Sequence, residues 1–258
     1  MNHLERIVAT TRQAVERRRL ENPLGAVDDG PPRRPFAPAL RASGLSLLAE
    51  HKRRSPSAGA IREELRLEDV VAAYERGGAA ALSVLTEGPN FGGSLQDLGT
   101  ARAASALPIL RKDFIIDRYQ VLESVARGAD AILLIVAALT PGQLAELHSL
   151  AAELGLAALV EVHDQRELEA AAEVGAQLIG INNRDLTTLE VHTRRTFELA
   201  PQAPDGATLI AESGYSRREQ LDELAGAGVD AVLIGEALMR SPDIEAACRA
   251  LTAPTMLA

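Results

Sequence analysis

The 258-residue sequence contains no tryptophan, one cysteine and only 3% aromatic residues. The single cysteine, Cys248, excludes an intramolecular disulfide framework and a CxxC metal motif. The longest apolar run, residues 131–139, is far too short for a membrane span, which takes about 20 apolar residues. The first six residues lack the apolar segment of a secretory signal peptide. We therefore expect a soluble, cytoplasmic protein without a membrane partner.

The sequence also lacks an excess of positive charge and the common cofactor motifs. Its net charge is −9 at pH 7, and the arginine clusters in the locally basic first 54 residues are not interleaved with aromatic residues. Both features argue against a nucleic-acid partner. The GxxxxGK[ST], GxGxxG, HExxH and GxSxG motifs are absent, and the histidines show no ligand spacing. We expect no metal and no cofactor, and we expect His163 to be a capping or surface residue.

Lysine is nearly absent, because Lys52 and Lys112 are the only lysines among 27 basic residues. Both stand at the end of a short apolar run, in a chain that uses arginine almost everywhere else. Arginine keeps its proton near neutral pH, whereas a buried lysine can release one. The two lysines therefore indicate positions that need a transferable proton or a compact positive charge. The alternative is chance placement in an arginine-rich sequence.

Short apolar runs alternate with helix-like segments from residue 45 onward. Their nearly continuous apolar character is typical of parallel strands covered on both faces. Their spacing of about 20 to 35 residues is that of βα units. The eight runs predict an α/β fold with one closed (β/α)8 TIM barrel, and a doubly wound open sheet is the alternative. The predicted strands are 45–51, 80–85, 107–111, 131–136, 157–162, 178–181, 207–211 and 231–234.

Residues 1–40 precede the first predicted strand and contain one helical stretch, residues 4–20, followed by a proline-rich segment. We expect a single barrel domain over residues 1–258, with residues 1–40 as an extension packed on the barrel or covering one mouth. Helix starts are predicted at Asp117, at Thr140 before a proline, and at two capping-box spacings. The capping-box pairs are Asp164 with Glu167 and Ser216 with Glu219.

Polar residues cluster at the predicted strand ends, where the active sites of (β/α)8 barrels lie. Because side chains alternate along a strand, Glu50 and Lys52 should share a face while His51 points the other way. Three carboxylates beside two ammonium groups keep the charges paired and separate their pKa values into an acid and a base. The alternative is a salt-bridge layer that only stabilises the barrel. The cluster comprises Glu50, Lys52, Lys112, Glu161, Asn182, Arg184, Glu212 and Ser213.

Glycines after the last two predicted strands suggest a phosphate site. Ser213 and Gly214 follow the seventh strand, and Gly235 and Glu236 follow the eighth and open a helix. Backbone N–H groups at this place are a recurrent phosphate site in barrels. Arg184 and Lys52 could complete the charge neutralisation, and Glu236 must point away from the anion.

The strand-end segments resemble the indole-3-glycerol phosphate synthase family of tryptophan biosynthesis. Seven motifs in the same order carry this resemblance, which runs over nearly the whole chain. They are residues 49–57 (AEHKRRSPS), 82–87 (LSVLTE), 110–114 (LRKDF), 159–163 (LVEVH), 180–186 (GINNRDL), 211–214 (AESG) and 234–239 (IGEALM).

The resemblance implies a lyase that closes an indole ring with loss of carbon dioxide and water. Its substrate would be the small phosphorylated molecule 1-(2-carboxyphenylamino)-1-deoxyribulose 5-phosphate. It implies that Lys112 is the general acid, that Glu161 is the base or an electrostatic stabiliser, and that Lys52 contacts the substrate's carboxylate or phosphate. Glu50 and Glu212 would tune the lysines, and Asn182 would hydrogen-bond a hydroxyl group. We expect a monomer or a weak homo-oligomer.

The resemblance also implies two groups of binding residues. The substrate and its phosphate would be bound by Lys52, Ser55, Arg184, Ser213, Gly214, Gly235 and Glu236, with the phosphate itself at Arg184, Ser213, Gly214 and Gly235. The anthranilate ring would be enclosed by Phe91, Phe114, Leu133, Leu186 and Leu233.

Three positions depart from the family pattern: His51 is usually apolar and aromatic, residues 88–93 are glycine-rich, and Ala237 is often serine. Other phosphate-binding barrels are alternatives, among them a sugar-phosphate isomerase or a Schiff-base aldolase that uses Lys112 or Lys52 covalently. A barrel that binds a phosphorylated ligand without turnover, or a subunit that scaffolds a pathway partner, is the non-enzymatic alternative.

Overall fold

A computed structural model of the chain describes residues 2–23, 30–41 and 44–253. Eight parallel strands close into a barrel in the order β1-β10-β9-β8-β7-β6-β5-β4. The predicted (β/α)8 fold is confirmed, and the closed sheet rules out the open-sheet alternative. The barrel strands are β1 (Ser46–His51), β4 (Ala81–Leu85), β5 (Ile109–Lys112), β6 (Ala131–Ile135), β7 (Ala157–Val162), β8 (Leu178–Asn182), β9 (Thr208–Glu212) and β10 (Ala231–Ile234).

Helices connect the strands and cover the barrel. A short antiparallel ribbon, β2 (Arg54–Ser55) with β3 (Gly59–Ala60), lies in the loop after β1. The helices are α1 (His3–Glu21), α2 (Phe36–Leu40), α3 (Leu67–Arg76), α4 (Gly88–Phe91), α5 (Gln96–Ala104), α6 (Arg118–Ala126), α7 (Pro141–Glu153), α8 (Gln165–Glu173), α9 (Arg194–Leu199), α10 (Arg218–Gly226), α11 (Glu236–Arg240) and α12 (Ile244–Thr252).

Strand alternation divides the apolar residues into two clusters. Leu47 and Ala49 of β1 face the helices, whereas Leu48 faces the barrel interior with Leu110 and Ile210. Branched side chains therefore fill the lower barrel, as parallel strands covered on both faces require. The polar residues at the strand ends lie above this apolar floor.

Three predicted helix starts agree with the structure and one does not. Asp117 accepts a hydrogen bond from the Tyr119 N–H, Thr140 forms a capping box with Gln143, and Asp164 caps α8 by accepting from the Glu167 N–H. The predicted box of Asp164 with Glu167 is half formed, because the Glu167 carboxylate accepts from the His163 N–H instead. The prediction that Ser216 and Glu219 form a capping box is wrong. The carboxamide oxygen of Gln220 instead accepts hydrogen bonds from the backbone N–H groups of Ser216 and Arg217.

The N-terminal helix α1 packs against the barrel on the side of the cavity. Asn2 and Glu5 form a capping box at its start, and Leu4 and Ile7 join the interior apolar cluster. Near its end, Arg18 forms an ion pair of 2.9 Å with Glu123 of α6. None of the helices in the described ranges is long and apolar enough to cross a membrane.

Candidate active site

The carboxyl ends of the barrel strands surround a cavity of about 410 Å³. Every residue predicted for the site lines this one cavity. The predicted polar residues and glycines are Glu50, Lys52, Ser55, Lys112, Glu161, Asn182, Arg184, Glu212, Ser213, Gly214, Gly235 and Glu236. The predicted apolar residues are Phe91, Phe114, Leu133, Leu186 and Leu233.

The direction of each side chain follows from its place on a strand. Glu50 points into the cavity and Lys52 follows it there, while His51 between them is only 1% exposed and lies on the outer side of the strand. Burial lowers the pKa of His51 to about 4, so the imidazole is neutral at physiological pH. The predicted division of these three residues is confirmed.

Lys112 lies at the centre of the charged cluster. Its Nζ is 3.1 Å from Oε2 of Glu161 and 3.3 Å from Oε2 of Glu212. The second lysine is paired separately, because Nζ of Lys52 is 2.8 Å from Oε1 of Glu50. The two ammonium groups therefore have different carboxylate partners, and both lysines line the same cavity.

The pKa values of the two carboxylates beside Lys112 are shifted in opposite directions. Burial raises the pKa of Glu161, but Lys112 and His163 outweigh it and hold that pKa well below its usual range. Burial also raises the pKa of Glu212; Lys112 opposes this rise and Glu161 adds to it, and the pKa stays above its ordinary value. The repulsion between these two like charges beside the same ammonium group helps to push their pKa values apart. Glu161 is the ionised member and Glu212 the one that takes up a proton more readily.

Lys112 itself remains cationic. Burial lowers its pKa, but the carboxylates of Glu161, Glu212 and Glu50 have the larger combined effect and raise it above the ordinary value. A lysine held in this way keeps a proton on Nζ across the physiological range. The cluster therefore presents a fixed proton donor between an anionic and a protonatable carboxyl group.

Glu212 lines the cavity, and one of its oxygens is buried against Gly180 of β8. Among the residues that the structure describes, none donates a hydrogen bond to Oε1 of Glu212, although this atom is buried. An unpaired buried oxygen is costly in a structural network and is common at functional sites. This geometry favours a reactive cluster over a salt-bridge layer that only stabilises the barrel.

Two glycines make room for the carboxylates. A Cβ atom on Gly180 would lie 2.3 Å from Oε1 of Glu212, and one on Gly235 would lie 2.7 Å from Oε1 of Glu50. Both distances are below any ordinary contact. Gly235, predicted only as a phosphate contact, therefore also leaves space for Glu50.

The predicted phosphate residues line the cavity and follow the four neighbouring strands β8, β9, β10 and β1. Ser213 has a φ of 65°, a left-handed conformation that strains a non-glycine residue, and Gly214 follows with a φ of 95°. Gly235 precedes the first turn of α11. Glu236 at that turn pairs with Arg240 at 3.0 Å, while Nη1 of Arg184 donates to the Leu189 carbonyl at 2.9 Å.

Phe91 and Phe114 form the aromatic part of the cavity wall. Their ring centroids are 6.4 Å apart with an interplanar angle of 38°. Phe91 ends helix α4 after β4 and Phe114 follows β5, and Leu133 and Leu233 line the same cavity. The cavity wall therefore combines apolar and charged side chains.

His163 is not the capping or surface residue that the sequence predicted. Its side chain is 11% exposed, with Nε2 at 3.3 Å from Oε1 of Glu161 and Nδ1 at 3.0 Å from Oε2 of Glu167. In the sequence, His163 follows Glu161 by two residues. Strand alternation puts these two residues on one face, and that signal could have found the contact.

One expectation for residues 1–40 is that they cover a mouth of the barrel, and residues of α1 do line the cavity at the carboxyl ends of the strands. His3, Leu4 and Ile7 contribute to the cavity wall. The apolar residues Leu4, Ile7 and Val15 are all buried on one side of the helix. This stripe, visible in the sequence, indicates which side of the helix is covered but does not say what covers it.

Comparison with known proteins gives one family. The family model described as indole-3-glycerol phosphate synthase matches residues 4–251. A protein of that name from Nocardioides sp. is 47% identical over 257 residues, covering 98% of each chain. Indole-3-glycerol phosphate synthase 2 of Streptomyces coelicolor is 49% identical over 213 residues, covering 83% of each.

Solved structures of lower identity share the fold. A 3-hexulose-6-phosphate synthase has a TM-score of 0.63 at 14% identity, covering 80% of this chain and 98% of that one. A thiamine phosphate pyrophosphorylase from Pyrococcus furiosus has a TM-score of 0.60 at 19% identity, covering 80% and 93%. At these identities the likeness concerns the barrel alone.

Proposed function

The chain belongs to the indole-3-glycerol phosphate synthase family, and from that premise we propose how its residues divide the work of ring closure. The reaction converts 1-(2-carboxyphenylamino)-1-deoxyribulose 5-phosphate to indole-3-glycerol phosphate. A bond forms between the ring carbon that bears the carboxylate and the ribulose carbonyl carbon. The carboxylate then leaves as carbon dioxide and the new hydroxyl leaves as water. Two protons are donated and one is removed.

Lys112 donates the proton to the carbonyl oxygen and later to the leaving hydroxyl. The observation that supports this role is the position of its Nζ, 3.1 Å from Glu161 and 3.3 Å from Glu212 within the cavity. The carboxylates keep Lys112 charged, and Glu212, whose pKa is raised, can return a proton to it. A positioned general acid contributes about 10²- to 10⁴-fold to such a reaction.

The same charge state speaks against the Schiff-base alternative. A nucleophilic lysine attacks as the neutral amine, and enzymes lower its pKa by placing it in an apolar pocket or beside another cation. Lys112 has the opposite surroundings, with carboxylates that raise its pKa. We expect borohydride treatment in the presence of substrate to trap no covalent adduct.

Glu161 removes the carbon-bound proton that completes the indole ring. Its Oε2 faces Lys112 and its Oε1 accepts a hydrogen bond from Asn182 at 3.1 Å. Because Glu161 stays ionised, it also stabilises the positive charge that develops on the ring during closure. Asn182, 5% exposed, is placed to hydrogen-bond a substrate hydroxyl beside this carboxylate.

The two charged ends of the substrate need separate partners. We assign its carboxylate to Lys52, since this ammonium group lies between Glu50 and the ribbon that carries Ser55. We assign its phosphate to Arg184, Ser213, Gly214 and the backbone at Gly235. Loops after the seventh and eighth barrel strands are a common phosphate site in this fold. Ala237 offers only its backbone at a position where a hydroxyl is often found in the family.

The apolar wall and α1 complete the site. Phe91, Phe114 and three leucines enclose the anthranilate ring and exclude water from the developing charges. We further propose that residues 1–40 belong to the same domain as the barrel, since Leu4 and Ile7 line the cavity. For the same reason, we expect a variant that lacks α1 to lose ring binding.

Turnover is tested by adding the carboxyphenylamino-deoxyribulose phosphate and following indole fluorescence, which rises over a low background because the chain has no tryptophan. We expect the wild-type chain to form indole-3-glycerol phosphate and Glu161→Gln to lose most of that activity. We expect Lys52→Arg to raise KM more than it lowers kcat, since it keeps the charge. Binding without turnover in the wild type would instead support a barrel that only binds phosphorylated ligands.

A further inference from the structure

His163 stands directly behind Glu161, outside the set of residues that line the cavity. Its Nε2 lies 3.3 Å from Oε1 of Glu161, and its side chain is 11% exposed. At this distance the contact is an ion pair rather than a short, well-aligned hydrogen bond. Oε1 also accepts the amide of Asn182, so Oε2 is left for Lys112.

Glu167 fixes His163 from the opposite side. Its Oε2 lies 3.0 Å from Nδ1 of His163 and accepts the backbone N–H of His163 at 2.7 Å. The Glu167 backbone N–H is in turn held by Asp164, the cap of α8. The first turn of α8 therefore anchors an imidazole between two carboxylates.

We propose that His163 is a positioning residue for the ring-closing reaction: as an imidazolium clamped by Glu167, it holds the Glu161 carboxylate in place and keeps it ionised. This inference rests on the proposed role of Glu161. His163 touches Glu161 from behind and acts through it.

The charges around the pair support this assignment. Glu161 faces Lys112 from β5, Glu212 from β9 and Asn182 from β8, while His163 faces Glu161 and Glu167. Burial lowers the pKa of His163, but the two carboxylates outweigh it and raise that pKa to about 10. The imidazole therefore carries its charge throughout the neutral range.

The test compares His163→Gln with the wild type. Glutamine retains a donor and removes the charge, so the protection of the Glu161 anion is lost. We expect kcat to fall roughly tenfold to a hundredfold, because the carboxylate loses its fixed position. The acid limb of the kcat/KM profile should move to higher pH, because loss of a neighbouring cation raises the pKa of Glu161.

Two controls separate positioning from structure. His192→Gln changes a histidine that is 59% exposed in its side chain and should leave rate and profile unchanged. Glu167→Gln removes the clamp and should give a profile shift in the same direction as His163→Gln. An acid limb unchanged in both variants, with wild-type kcat, would overturn the proposal.

A measurement that does not need turnover distinguishes this inference from the proposed function. The ¹⁵N shifts of the His163 imidazole, followed from pH 5 to 9 in the wild-type protein, should show an imidazolium throughout. Titration near its ordinary value of about 6.5 would overturn the inference even if the enzyme is active. An inactive wild type with a persistent imidazolium would overturn the proposed function and leave the clamp on Glu161 standing.

Discussion

Two adjacent residues of β5 carry buried positive charges and point in opposite directions. Arg111 faces the helices, is 0% exposed, and pairs with Asp113 at 2.9 Å and Glu123 at 3.0 Å. Lys112 faces the cavity and pairs with Glu161 and Glu212 at 3.1 and 3.3 Å. Each cation therefore has two carboxylate partners at nearly equal distances.

The two networks differ in how many of their polar atoms have a hydrogen-bond partner among the described residues. Besides its two ion pairs, the Arg111 guanidinium donates to Thr86, to Ser124 and to the Gln120 carbonyl. The Lys112 network borders a cavity and contains the unpartnered Oε1 of Glu212.

A saturated network fixes a loop and a helix, whereas an incomplete one beside a cavity can act on a ligand. Arginine, which keeps its proton, stands on the helix-facing side of β5, and lysine, which can transfer one, stands on the cavity side.

The largest expected effect comes from Lys112→Arg. Arginine keeps the positive charge and the ion pairs but cannot donate its proton readily. We expect kcat to fall about 10²- to 10⁴-fold and the free energy of unfolding to change by less than about 1 kcal/mol. Steady-state fluorescence and urea unfolding measure the two quantities. Wild-type turnover in this variant would show that Lys112 is not needed as a proton donor and that the two networks do not differ in their chemistry.

The converse change is Arg111→Met. Removing the guanidinium leaves Asp113 buried without its ion-pair partner and Glu123 paired with Arg18 alone among the described residues, which costs about 3–5 kcal/mol. We expect the midpoint of urea unfolding to fall. At low temperature, the molecules that remain folded should keep most of their turnover. A loss of turnover without a loss of stability would contradict the structural role of this network.

The third change tests the space beside Glu212. In Gly180→Ala, the new Cβ atom would lie 2.3 Å from Oε1 of Glu212, which is too close for both atoms to stay in place. The carboxylate must leave its present position beside Lys112, and we expect kcat to fall about a hundredfold. Gly142→Ala is the matched control, because nothing lies within 4 Å of its Cβ position. Equal activity in the two alanine variants would show that the position of Glu212 is unimportant.

The smallest effect concerns the outer face of β1, where His51 stands between Glu50 and Lys52. The pKa of His51 is lowered to about 4, so the unfolded chain binds a proton below pH 6.5 that the folded protein does not. Stability from the neutral imidazole is full above pH 6.5 and declines as the pH falls toward 4. The free energy of unfolding should fall less between pH 7 and pH 5 in His51→Phe than in the wild type, by about 1–2 kcal/mol. Urea unfolding at the two pH values measures this difference.

The control for the fourth prediction is His192→Phe, which changes an exposed imidazole. We expect its pH dependence of stability to match that of the wild type. The turnover of His51→Phe should also match that of the wild type, since His51 does not line the cavity. An activity loss in His51→Phe would show that the two faces of β1 are not independent.

The barrel and most of the cavity were predictable from sequence because both depend on short-range rules. Apolar runs at βα spacing give parallel strands, and a period of two separates Glu50 and Lys52 from His51. The carboxyl ends of all strands meet at one mouth, so polar residues far apart in sequence come together. Each predicted strand bound lies within two residues of the observed one.

The features that were missed depend on longer-range geometry. The role of His163 depends on the Glu167 side chain, which reaches from α8 back to the His163 ring at the end of β7. The capping-box spacing instead predicts that this carboxylate bonds to the backbone of Asp164. Ser216 lost its predicted capping role because Gln220, one residue further on, reaches the same backbone. Which residues of α1 contact the cavity depends on packing between segments more than 100 residues apart, as in the pair of Arg18 with Glu123.

The most direct test of the division between the two networks is a paired measurement on Lys112→Arg and Arg111→Lys. Turnover and the free energy of unfolding are determined for both variants and the wild type under one set of conditions. We predict that Lys112→Arg loses turnover and keeps its stability, and that Arg111→Lys loses stability and keeps its turnover. If both variants lost turnover and stability in parallel, the two networks would be one structural unit and the assignment of Lys112 as the acid would be wrong.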